Sequence, residues 1–136
     1  MIESVEEFVR LRSSEMMDEY WRAAHEEAPV EIWMQVVERF PEYRFWVAQN
    51  KTVPLQVLER LAHDTDTRVR SMVASKRKLS PDLQRLLSKD ADASVRQRLA
   101  YNAKCAVDVL RLLSNDLDPD VRDAASRKLK ERENAS

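Results

Sequence analysis

Glycine is missing from all 136 residues, and Cys105 is the only cysteine. Each absence excludes chemistry. Phosphate-cradling loops of the P-loop and Rossmann kinds are built on glycine, so neither can exist here. A β-rich domain would need glycine for turns at positive φ. An all-helical chain can end its helices on other residues, and Asn50 and Asn102 are placed for that role. One cysteine rules out an internal disulfide or an all-cysteine metal centre. With no nearby histidine to serve as its base, Cys105 reads as a small packed side chain. The two histidines, His25 and His63, have no second ligand at metal-binding spacing and read as surface residues. No metal or cofactor is expected. Long apolar runs are also missing, so nothing should span a membrane. The opening Met1-Ile2-Glu3-Ser4 has neither the basic nor the apolar part of a signal peptide, which implies a cytoplasmic chain.

What is abundant is charge and repetition. Charged residues make up 35% of the chain, and they are unevenly spread. Residues 1–42 hold 4 Lys+Arg against 11 Asp+Glu, and residues 43–136 hold 19 against 13. The imbalance suggests an acidic partner or nucleic acid for the later part. From Pro41 to about Lys128 the chain repeats every 26 residues. Arg44, Arg70, Arg96 and Arg122 form one column; Val47, Val73, Leu99 and Ala125 form another; Leu61, Leu87 and Leu113 a third; Asp64, Asp90 and Asp116 a fourth. A fixed period in this range signals stacked structural units.

Taken in order, residues 1–28 predict a helical cap. Ser4 and Glu7 have capping-box spacing, and Ser13-Ser14 is a natural break between two helices. Val5, Phe8, Val9 and Leu11, then Met16, Met17, Tyr20, Trp21 and Ala24, supply an apolar face expected to cover one end of the repeats. Residues 29–130 form the repeat region, opening with a degenerate half-unit from Pro29 whose stripe is Ile32, Trp33, Val36, Val37 and Phe40. Pro41 should end that helix. Each later unit reads as two short helices: 54–64 with 67–75, 80–90 with 93–101, and 106–115 with 119–130. Asp66, Asp92 and Asp118 stand at N-cap positions, and Ser80-Pro81 and Asp118-Pro119 are cap-then-proline starts. Residues 131–136 read as a tail. Helices this short persist only by sharing apolar faces with their neighbours.

The strings Val47-Ala48-Gln49-Asn50, Leu61-Ala62-His63-Asp64 and Asp66-Thr67-Arg68-Val69-Arg70-Ser71-Met72-Val73-Ala74 resemble the leucine-rich repeat variant, a HEAT-like family. The resemblance covers about residues 29–128 and implies a right-handed α-solenoid whose second helices line the concave face. It also implies an Asp/Arg ladder: Asp64 with Arg70, Asp90 with Arg96, Asp116 with Arg122. Some members of that family carry a cysteine-rich iron–sulfur segment before the repeats. Here no cysteine precedes Cys105, so that property is not implied.

Three sets of residues then compete for function. The arginine column could hold phosphate, but its recurrence in every unit suits a structural ladder. The carboxylate pairs Asp64/Asp66, Asp90/Asp92 and Asp116/Asp118 recur in the same way, which fits capping better than an acid/base dyad. The variable set lies on the outward side of the second helices: Glu42, Phe45, Trp46 and Gln49; Arg68, Ser71, Met72 and Ser75; Ser94, Gln97, Arg98 and Tyr101; Asp120, Asp123, Ala124 and Arg127. Of these, Phe45, Trp46, Gln49, Arg68, Met72, Arg98 and Tyr101 are the candidate contacts for a protein partner. Phe45 and Trp46 are equally placed to be covered by the N-terminal helices. Lys76-Arg77-Lys78 is the one compact basic cluster, a solvated loop by default and a minor candidate for nucleic acid. The expected function is a non-enzymatic protein-binding module of adaptor or immunity/antitoxin type, facing for instance a bacterial toxin. Nucleic-acid binding through the basic region is the alternative.

Overall fold

A computed structural model describes residues 1–135. Among them are ten α-helices and one 3-10 turn, with no strand. The chain divides into two compact units, Met1–His63 and Asp64 onward.

In the first unit α1 (Val5–Ser13) starts where Ser4 Oγ accepts the Glu7 amide at 3.0 Å. The Glu7 carboxylate reaches back to the Glu3 amide at 2.8 Å, one residue earlier than in the standard capping box. Ser14 turns extended (φ −74°, ψ 146°) and breaks the chain before α2 (Met17–His25). After α3 (Val30–Arg39), Phe40 leaves the helical region, and Pro41 opens a 3-10 turn through Tyr43. Then come α4 (Arg44–Gln49) and α5 (Leu55–Leu61). Helix α1 packs on α2 and α3, α2 on α4, and α3 on α4 and α5. Ile2, Val5, Phe8, Leu11, Trp33, Val36 and Val37 are buried at this junction, with Phe8 and Trp33 edge to face at 5.1 Å. Ile32 and Phe40, expected in the same stripe, are half-buried.

The second unit contains α6 (Thr67–Ala74), α7 (Pro81–Ser88), α8 (Ala93–Tyr101), α9 (Val107–Leu113) and α10 (Pro119–Ala135). Helix α8 packs against both α6 and α10, while α7 packs on α9 and α8. The expected tail is not separate: residues 131–135 continue α10, and Ser136 lies outside the described residues. The N-caps fall on the aspartates named above. Asp66, Asp92 and Asp118 accept the amides of Arg68, Ser94 and Asp120 at 2.9, 2.8 and 2.8 Å, and Ser80 accepts Leu83 at 3.1 Å.

The repeat columns are the core. Val69, Val95 and Val121 are buried; so are Val47, Val73, Leu99 and Ala125, then Val57, Leu83 and Val109, then Leu61, Leu87 and Leu113. No described residue has positive φ. Asn50 and Asn102 therefore do not replace glycine in a left-handed turn. Both are extended (ψ 131° and 121°), and their side chains do the stopping. Asn102 Nδ2 donates to the carbonyls of Ala74 (2.8 Å) and Lys76 (2.7 Å), and its Oδ1 accepts the Lys104 amide. In the first unit Asn50 does the same to Ala23 (2.8 Å) and Glu26 (3.1 Å).

Candidate binding surface

The arginine column is a ladder in which each carboxylate pair crosses to the next 26-residue unit. Arg70 forks the carboxylate of Asp90 (2.8 and 3.2 Å), and its third nitrogen donates to the Asp64 carbonyl at 2.8 Å. Arg96 repeats this with Asp116 (2.9 and 3.1 Å) and the Asp90 carbonyl (2.6 Å). Arg122 donates to the carbonyls of Asp116 and Leu117. The pairs expected six residues apart thus meet through the aspartate carbonyl, while the carboxylates of Asp90 and Asp116 belong to the arginine 20 residues earlier. The carboxylates of Asp64, Asp90 and Asp116 also accept the amide two residues on, from Asp66, Asp92 and Asp118 respectively. These carboxylate pairs are occupied in structure. Asp116 is pushed up by burial, but the Arg96 guanidinium and the Asp118 amide outweigh that and hold it below the ordinary value of 3.8.

Cys105 is fully buried, and that burial raises its thiol to about 11, the wrong direction for a nucleophile. His63 is exposed; His25 is half-buried, stacked on Trp21 at 4.2 Å. Among the described residues no group of three or more His, Cys, Asp or Glu is arranged to hold a metal, and no helix is long and apolar enough to cross a membrane.

The outward set divides in two. In the first unit Phe45, Trp46 and Gln49 are half-buried. The Arg12 guanidinium lies 3.3 Å from the Trp46 ring centroid and 4.4 Å from that of Tyr20, while Phe45 meets Trp46 edge to face at 4.8 Å. Trp46 is therefore covered from α1. In the second unit Arg68 is exposed but folded back on its own cap, Asp66, at 2.8 Å. Met72 is half-buried, and Ala124, expected outside, is fully buried. Arg98 and Tyr101 are exposed and share a depression of about 310 Å³ with Ser75, Arg77, Asn102 and Ala103. Of the basic cluster, Arg77 joins this depression; Lys78 is exposed and Lys76 half-buried.

The largest departure is on α2. Met16, Met17, Tyr20 and Trp21 were expected to cover neighbouring repeats, yet they are 60, 88, 41 and 58% exposed. Helical spacing places residues on a common face; it does not say whether that face has a neighbour. In this helix only Ala23 is buried. Five carboxylates (Glu15, Asp18, Glu19, Glu26 and Glu27) accompany the patch in sequence; Glu19 is paired with Arg10 and Glu26 with Arg22 and the Met1 amine, so Glu15, Asp18 and Glu27 carry the acidic excess. Arg22 donates to Glu26 at 2.6 and 2.9 Å, which helps to hold that carboxyl down at about 2.

Searches against protein-family models, curated proteins and solved structures return no match for this chain.

Proposed function

We propose that this chain is a cytoplasmic, non-enzymatic protein-binding module, built as a HEAT-like helical repeat, whose main docking face is α2. The observation that carries the reading is four large apolar side chains, two methionines and two aromatics, left open within six residues. An exposed apolar patch of this composition suits a protein partner, because methionine adapts its shape and tryptophan and tyrosine supply contact area at small entropic cost. The acidic surroundings give the partner its chemistry: an amphipathic segment with basic residues beside its apolar side. The same acidity repels phosphate, which disfavours nucleic acid at this face. An adaptor or an immunity-type inhibitor belongs to this class. The non-enzymatic part rests on the recurrent carboxylates being taken up as caps and ladder rungs, and on a thiol that burial makes inert.

The test is photocrosslinking in cells from a reactive residue placed at Met17 or at Trp21. One defined protein adduct, lost when the neighbouring apolar residue is changed to Glu, is the expected result. Adducts no more frequent than from the exposed Lys89 would remove α2 as a docking face.

A further inference from the structure

We infer that the depression around Tyr101 is a second binding site, one that takes carboxylate side chains from an acidic segment of a protein. It lies wholly in the second unit and stands or falls separately from the α2 face.

Tyr101 ends α8 with 45% of its surface exposed. Cations from three elements gather on it. Arg98 precedes it on α8, and Arg77 comes from the α6–α7 loop; both line the depression. From α10, Arg127 approaches the phenol oxygen at 3.5 Å, Lys128 lies 5.9 Å from the ring centroid, and Arg132 donates to the Ala103 carbonyl at 2.7 Å. Lys128 is paired with Glu131 at 3.4 Å. Among the described residues Arg77, Arg98 and Arg127 share no ion pair. Elsewhere in this unit the chain supplies acids to its arginines, as in Arg70 with Asp90 and Arg96 with Asp116. Three guanidiniums without a carboxylate partner round one exposed phenol leave a local excess of positive charge, and Arg77 and Arg98 offer the bidentate donors that carboxylates match. The floor is rigid. Asn102 is buried and its amide is committed to the Ala74 and Lys76 carbonyls, so the site needs little ordering on binding.

Size and lining decide between acidic peptide and nucleic acid. About 310 Å³ is at the small end of ligand pockets and suits one or two side chains. A single strand is normally held by successive stacking platforms, and this depression is lined by one aromatic.

Fluorescence anisotropy with the full chain tests the assignment. The probes are a labelled peptide of alternating Glu and Leu and a labelled single-stranded oligonucleotide of equal charge. The peptide should bind saturably at low salt. Arg98→Glu and, independently, Arg77→Glu should each weaken it by about tenfold or more, Tyr101→Ser by less, and Lys89→Glu, outside the depression, by under about twofold. All these positions are exposed, so circular dichroism should show wild-type folding for every variant. Absence of saturable binding, indifference to both Arg98→Glu and Arg77→Glu, or tighter binding of the oligonucleotide than of the peptide would each overturn the proposal.

Discussion

Arg96 illustrates how a single side chain can be mistaken for a ligand site. Its guanidinium is 16% exposed and the Asp116 carboxylate 9% exposed, so the pair is largely removed from water. All three of its nitrogens have partners: two on Asp116 and one on the Asp90 carbonyl. Three of its five N–H groups are thus committed and the side chain is largely buried, so the guanidinium is not presented to an outside phosphate. Removing one member of such a pair leaves the other uncompensated, which is worse than losing both. Arg96→Ala should therefore destabilise the chain by about 3 kcal/mol, read as a lower urea midpoint, with Asp116→Asn less harmful because the amide still accepts. The acid dependence follows from the depressed Asp116. A carboxyl held below its ordinary value of 3.8 contributes stability that is present above that value and is lost as pH falls through the folded-state pKa. Urea midpoints measured from about pH 6 down to pH 3 should fall for the wild type, and Asp116→Asn should flatten part of that fall. An identical slope in the variant would show that other carboxylates carry the acid limb.

Arg12 is the opposite case, a cation held by ring faces, 3.3 Å from the Trp46 centroid and 4.4 Å from that of Tyr20. Arg12→Leu keeps the apolar stem and removes the charge. It should cost about 1 kcal/mol and shift the tryptophan emission, because one of the three tryptophans loses its cation. An unchanged emission spectrum would mean that the guanidinium does not sit on Trp46 in solution.

At the level of the helix, the period was legible because it is written by packing. A residue whose column is apolar in every unit must face the neighbour in every unit, and all the Val and Leu columns from Val57 to Leu113 are indeed buried. Caps were legible for the same local reason: Asp or Ser before a helix has one favourable use. The clasp at Asn102 was not. Its position at a helix end was visible, but its bonds run to carbonyls 28 and 26 residues earlier, and no local rule names them. The period does supply that information in retrospect. Residues 26 apart are neighbours in this unit, as Lys76 with Asn102 and Tyr101 with Arg127 show. The clasp ties the end of α8 to the end of α6. Asn102→Ala deletes both donors and leaves two carbonyls and the Lys104 amide short of a partner, at about 2 kcal/mol. Hydrogen exchange should quicken first at the C-terminal turns of α6 and α8. Uniform quickening across the second unit would instead mark a global loss.

For the chain as a whole, the least legible feature was which apolar residues have no neighbour. Phe8, Trp33 and Trp21 look alike in sequence, each with apolar companions three or four positions away. Two of them are fully buried against each other, and the third is 58% open. The difference depends on which helices pack where, and periodicity carries no such information. It has a direct consequence for stability. Trp33→Ala empties a filled interior site and should cost about 3–5 kcal/mol. Met17→Glu with Trp21→Glu changes exposed positions only and should stay within about 1 kcal/mol in the same urea titration, while reducing binding of a fluorescent apolar probe and raising solubility. If the α2 double variant proved as destabilising as Trp33→Ala, those side chains would be structural and the proposal of α2 as a docking face would fall. Equal stability with less probe binding would leave α2 as an apolar surface that the fold itself does not need.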